Sequence, residues 1–144
     1  MSFVPEGFEP PVRLSADGLG LEPLGPQHND DDYAAWTSSM EHIRASPGFP
    51  DGDWPHPMTL EENRRDLERH AADFAARRGF TYTVLENRRV VGCVYIYPKR
   101  DGTADAAVSS WVTADRAELD GPLRATVRTW LRAVWPFERV DYAG

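Results

Sequence analysis

The chain has 144 residues, a hydrophobic fraction of 41 %, a charged fraction of 27 % and a formal net charge of −7. That length suits one domain with a core of its own, and five tryptophans argue against a disordered chain. The acidic balance, with a pI near 5.0, argues against a general nucleic-acid binder, and no apolar run reaches the roughly twenty residues of a membrane helix. Residues 1–11 lack the charged start and long apolar run of a secretory signal and are read as a flexible lead. The single cysteine, Cys93, excludes an intramolecular disulfide and reads as a reduced core thiol of a cytoplasmic protein.

In chain order, residues 12–24, VRLSADGLGLEPL, hold Asp17-Gly18 between two apolar pieces, a turn signal that joins a short hairpin or opens a first strand. Tyr33, Trp36, Met40 and Ile43 recur at helical spacing behind a run of aspartates and predict a helix over 31–44. Residues 46–58, SPGFPDGDWPHPM, carry four prolines and two glycines and are read as a loop, with Trp54 and His56 available to line a pocket. Thr59 and Glu62 stand at capping-box spacing. They open a helix with Leu60, Leu67, Ala71, Phe74 and Ala75 on its apolar face and Gly79 as a left-handed stop.

FTYTVL and VVGCVYIYP predict an antiparallel hairpin turned at ENRR. DGTAD supplies the next turn and AAVSSWV the next strand. Leu123, Val127, Trp130, Leu131 and Val134 then form the core stripe of a helix interrupted by Pro136, with Arg124, Arg128 and Arg132 along one face beside it. ERVDY is a short closing strand.

Strand, helix, helix, three antiparallel strands, helix, strand is an order that resembles the GNAT-type N-acetyltransferase superfamily, over about residues 12–142. FTYTVLENRRVVGCVYIYP is similar to that family's second and third strands, and AAVSSWVTADRAELDGPLRATVRTWL to its fourth strand and acetyl-CoA-binding helix. The resemblance implies an α/β (α+β) fold, a mixed, mainly antiparallel sheet flanked by helices and splayed between the family's fourth and fifth strands. It also implies transfer of acetyl from acetyl-CoA to a primary amine of a small molecule or protein, with no covalent enzyme intermediate. By the same resemblance, backbone groups of Trp111, Val112 and Thr113 pair with pantetheine, while Arg116 and Gly121 are the two positions of RAELDG that match the pyrophosphate loop. Leu119 stands where the family has its first glycine, Glu118 and Asp120 add negative charge beside the expected phosphates, and Pro122 removes a donor. The family's last helix, which carries a tyrosine acid, and its two closing strands have no counterpart in this sequence. The open sheet edge left behind implies a homodimer.

The reaction needs a base for the incoming ammonium. Asp105, the acid nearest the fourth strand, is the first candidate, and His56, near-neutral in its ordinary pKa, the second. Trp54, Tyr95 and Tyr97 are candidates for the acceptor side, the indole through cation–π contact. Trp36 is read as such a wall or as core, and the Arg124, Arg128 and Arg132 row as a phosphate contact or a solvated face. His42 and His70 are read as helix-face residues without a catalytic role. No metal-ligand spacing occurs, so no metal is expected. The competing reading is a non-catalytic GNAT-like ligand-binding or protein-interaction module.

Overall fold

Two tight turns with left-handed backbone set up the sheet. Asp17 and Gly18, at φ 51° and 82°, join β1 (Leu14–Ala16) to β2 (Leu19–Pro23) in the computed structural model, which describes residues 2–50 and 52–144. Asn87 and Arg88, at φ 51° and 66°, do the same for β3 (Phe80–Glu86) and β4 (Arg89–Pro98). Left-handed residues at both turn positions match the right-handed twist of the flanking strands. β5 (Ala106–Val112) pairs antiparallel with β4, and β6 (Val140–Tyr142) pairs parallel with β5. The six strands lie in the sheet in chain order, antiparallel except for the last pair. Val84 faces Gly92 while Leu85 faces Val90, so Val91 is the extra residue of a bulge. The bulge puts Val90 and Cys93, three residues apart, on the same side of the sheet.

Both faces are covered. α1 (Asn29–Thr37), α2 (Met40–Arg44) and α3 (Leu60–Ala75) bring Trp36, Ile43 and Leu67 against Val90, Cys93 and Trp111. α4 (Asp120–Val134), the crossover between the two parallel strands, lays Leu123, Val127, Trp130 and Leu131 on Tyr82, Val84, Val94, Ile96 and Val108. Each such side chain stabilises the fold by about 1.5–3 kcal/mol of transfer free energy. Residues 2–11, expected as a flexible lead, pack on this second face: Val4 is buried, Phe3 stacks on Phe80 and Phe137, and Phe8 meets Trp135.

Four sequence expectations need correction. The helix over 31–44 is two helices, because Thr37 and Ser38 turn their hydroxyls onto the carbonyls of Tyr33 and Ala35 and compete with the backbone ladder. Ser39, released at that break, accepts the Ala114 N–H at 2.9 Å. Gly79 is not the left-handed stop of α3; Arg77, at φ 62°, is. Gly79 is small for another reason, since a Cβ there would lie 2.1 Å from the Tyr97 ring. Leu60 and Val134, expected in the core, are exposed at the first and last positions of their helices, and Trp135 takes the buried place beyond Val134. The capping box forms as read, with Thr59 Oγ1 accepting from Glu62 N at 3.1 Å and Glu62 Oε1 from Thr59 N at 2.8 Å. Among the described residues no helix is long and apolar enough to cross a membrane.

Candidate active site

The proline-rich loop after α2 folds back over the sheet. Arg44 Nε donates to the Pro55 carbonyl at 3.0 Å and the Tyr33 hydroxyl to that of Met58 at 2.6 Å, which fixes the loop against α1 and α2. Beneath it a cavity of about 490 Å³ opens between the loop, α1, α3 and the strands β4 and β5. Phe49, Trp54 and Tyr95 form its aromatic wall, with ring centroids 5.9 to 6.5 Å apart, and Trp36 and Trp111 stand behind Trp54 at 5.4 and 6.1 Å. Trp54 Nε1 is buried and has no hydrogen-bond partner among the described residues.

The polar groups of the cavity come from α1 and α3. Asp32 is 4 % exposed, and burial pushes its carboxyl up to about 6 against the help of an Asn63 hydrogen bond. Asn63 organises this corner: its Nδ2 donates to Asp32 Oδ2 at 3.1 Å and to Asn29 Oδ1 at 2.8 Å, and its Oδ1 accepts from Trp36 Nε1 at 3.0 Å. Two turns further along α3, His70, 9 % exposed, sets Nδ1 2.9 Å from Thr81 Oγ1 and 3.1 Å from the Tyr97 hydroxyl, which in turn donates to Asp73 Oδ2 at 3.0 Å. Burial, reinforced by the neighbouring Arg69 cation, holds His70 below the ordinary histidine value. Tyr95 accepts from Trp111 Nε1 at 2.8 Å, and burial raises its phenol well above the usual range. Sequence reasoning missed Asp32, Asn63 and His70. Asn63, Asp66 and His70 do recur at spacings of three and four within the otherwise apolar face of α3, a polar stripe that carried the signal.

Trp54, His56 and Tyr95, singled out from sequence, line the cavity. Tyr97 does not line it but reaches His70 from the same face of β4. His56 is exposed, and its Nδ1 donates to the Asp53 carbonyl at 2.7 Å. Asp105 is elsewhere, just ahead of β5. Its Oδ2 accepts the Glu138 and Arg139 N–H groups at 2.8 and 3.0 Å, which lower its pKa and tie the turn to the chain entering β6.

The segment expected to hold pantetheine ends β5. β6 pairs only with Ala106–Val108, so from Ser109 to Val112 that side of β5 has no second strand among the described residues. Trp111 and Val112 bury their side chains in the two cores, and Thr113 N donates to the Val91 carbonyl at 2.9 Å. Beyond Thr113 the chain winds as a tight helical turn, Ala114–Leu119, rather than a glycine-rich loop. Arg116 grips both carboxylate oxygens of Glu86, at 2.8 and 2.6 Å, and also holds Glu118, so its charge is already matched. Gly121 is open: apart from its chain neighbours and its own helix backbone, no atom of the described residues lies within 4 Å of where its Cβ would be. Arg124 and Arg128 lie over the Tyr142 ring at 5.0 and 4.8 Å and clamp β6 to α4. Among the described residues no three metal-ligating side chains come together.

Comparison with known proteins agrees with this geometry. The model of the acetyltransferase (GNAT) domain family matches residues 19–143. No curated protein matches the sequence. Among solved structures, Mycobacterium smegmatis RimJ in complex with CoA-disulfide superposes with a TM-score of 0.69 at 14 % identity, over 86 % of this chain and 61 % of that one. The ribosomal L7/L12 alpha-N-protein acetyltransferase RimL in complex with coenzyme A gives 0.63 at 16 %, over 85 % and 67 %. The microcin C7 self-immunity acetyltransferase MccE, in complex with acetyl-CoA and AMP, gives 0.65 at 12 %, over 81 % and 62 %, so the chain spans less than two thirds of that relative. With a mainly antiparallel sheet, a crossover helix between its two parallel strands and a family match over most of its length, the chain belongs to the GNAT acetyltransferase family.

Proposed function

We propose that this chain is an acetyl-CoA-dependent N-acetyltransferase domain whose acceptor, a primary amine of a small molecule or protein, enters the cavity under the proline-rich loop. One observation carries the reading. The unpaired side of β5 begins at Ser109, and Ser109 also lines the cavity, so a donor lying along the strand and an amine in the cavity meet there. Acetyl-CoA, when bound, supplies the activated acetyl thioester. The residues present fit it at two points: the side of β5 left without a second strand up to Val112, and the open start of α4 at Gly121 for phosphate, whereas the Thr113 N–H and C=O are already taken by Val91 and Arg116. Arg116 joins them when it lets go of Glu86.

On the acceptor side, Trp54 and Tyr95 offer ring faces to a cationic amine, and Asp32 offers the opposite charge. Asp105 is committed to two backbone N–H groups, so we assign proton removal to the imidazoles of the cavity, His56 and His70. RimL and a ribosomal-protein-S5-alanine acetyltransferase from Vibrio fischeri are named for protein acceptors, which makes a peptide N-terminus one amine to screen. A second copy of the chain is the partner we propose for the exposed edge of β6, and the single buried thiol of Cys93 suits the reducing cytoplasm.

The matched charge of Arg116 favours one competing reading, a GNAT-like module that binds other ligands or proteins without catalysis. Isothermal titration with acetyl-CoA separates the two. The acetyltransferase reading expects a dissociation constant of about micromolar order and, in an amine screen, release of free CoA. A Cβ at Gly121 meets open space, and the indole of Gly121→Trp fills the helix start, so that variant should weaken acetyl-CoA about tenfold or more. Unchanged affinity would move the phosphate site, and no heat in the wild type would leave the binding module.

A further inference from the structure

We propose that His70 Nε2 is the group that takes the proton from the acceptor's ammonium, held in the required tautomer by Tyr97 and Asp73; this rests on the acetyltransferase reading above. The hydrogen-bond chain decides where the imidazole proton sits. The Tyr97 hydroxyl has one proton, and at 3.0 Å from Asp73 Oδ2 it is given to that carboxylate. Towards His70 the Tyr97 oxygen is therefore an acceptor, and an unprotonated Nδ1 at 3.1 Å would face it lone pair to lone pair. A protonated Nδ1 satisfies every member: it donates into the pair of oxygens formed by Thr81 and Tyr97, and the Thr81 hydroxyl is free to donate to Tyr97. Nε2 then carries the lone pair. Among the described residues it makes no hydrogen bond and is not one of the sealed polar atoms, and His70 lines the cavity, so that lone pair is open to an acceptor.

The surroundings keep the ring neutral and ready. On its own helix His70 has Asp66, Arg69 and Asp73; Tyr95 and Tyr97 face it from β4 and Thr81 from β3; Asp32, Asp53 and His56 share the cavity. Burial and Arg69 outweigh the two aspartates of α3, so the imidazole is pushed down rather than up. Its ring centroid is 5.8 Å from that of Tyr95, and Tyr95 pairs with Ser109 in register, so a single residue connects the base to the proposed meeting point. The step balances: the ammonium loses one proton to Nε2 and becomes an amine with a free electron pair, and the imidazolium later gives that proton to water at the cavity mouth. Tyr97 and Asp73 are positioning residues. Gly79 belongs with them, since any side chain there would drive the Tyr97 ring off His70.

Two measurements test this. Long-range proton–nitrogen NMR of the wild-type histidine rings should show His70 protonated at Nδ1 and bare at Nε2 at neutral pH; a proton on Nε2 overturns the proposal, whatever the activity. In steady-state assays His70→Gln should lower kcat about 10²–10³-fold and abolish the acid limb of kcat/KM, with acetyl-CoA affinity by titration unchanged. Tyr97→Phe should lower kcat about tenfold and shift that limb, leaving KM for acetyl-CoA in place. A limb that survives in His70→Gln but vanishes in His56→Gln overturns the assignment in favour of the loop histidine. Failure of the wild type to bind acetyl-CoA is a separate result, which defeats the acetyltransferase reading while the NMR still decides the tautomer.

Discussion

Asp32 is buried where a neutral residue would cost less. Its carboxyl titrates near 6 in the folded chain against 3.8 as the ordinary value, so the folded state holds its proton more tightly than the unfolded one. A raised folded pKa means that the stabilisation is complete below about pH 4 and is lost as pH rises through 6. Asp32→Asn keeps an oxygen for Asn63 and removes the ionisation. It should therefore stabilise the chain by about 3 kcal/mol at about pH 8 and by almost nothing near pH 4, read from thermal or urea unfolding at both values. Equal effects at the two would show that Asp32 is not titrating as described. A carboxylate kept at such a cost in a cavity wall suits a cationic ligand. Of these polar residues the sequence revealed little. Tyr95, Trp54 and His56 stood out because aromatics in a strand and a histidine among prolines are conspicuous. Asp32, Asn63 and His70 did not: Asp32 meets Asn63 only when α1 packs on α3, and the Asn63–His70 stripe is embedded in an otherwise apolar helix face.

The elements were more legible than the site, for a local reason: turns, caps and alternation are written in neighbouring residues. Asp17-Gly18, the Thr59–Glu62 box and the antiparallel hairpin of FTYTVL and VVGCVYIYP all form as read. The split of the first helix was hidden, because its apolar spacing runs through Thr37 and Ser38, which break it. The β3–β4 turn has Asn87 and Arg88 both left-handed, and only the first is of a type that tolerates this well. Arg88→Gly should then stabilise the chain by about 0.5–1 kcal/mol, the relieved strain outweighing the extra entropy of the unfolded glycine; its urea midpoint should rise with unchanged slope. A lowered midpoint would mean that the Arg88 side chain contributes more than its backbone costs.

For the whole molecule, the exposed border of the sheet at β6 is the surface with consequences for assembly. Light scattering at micromolar concentration should give twice the 16.2 kDa chain mass; the mass of one chain would exclude the proposed pair. The arrangement of α4 and β6 could be read from sequence as helix then strand, but the role of the arginine row could not. Arg124 and Arg128 turned out to hold Tyr142, a contact between residues that no local pattern connects.

The strands lie in the sheet in the order in which they occur in the chain, and this has a kinetic meaning. From β2 to β3 the chain closes a loop that includes three helices, but β1–β2, β3–β4 and β4–β5 each close across a short turn, at little loss of loop entropy. Those hairpins can assemble early and independently. β6 can dock only after α4 has crossed the sheet, so the Ala106–Val108 edge of β5, next to the cavity-lining Ser109, is the last part of the sheet to be bounded during folding, and the first to be freed when the structure opens locally.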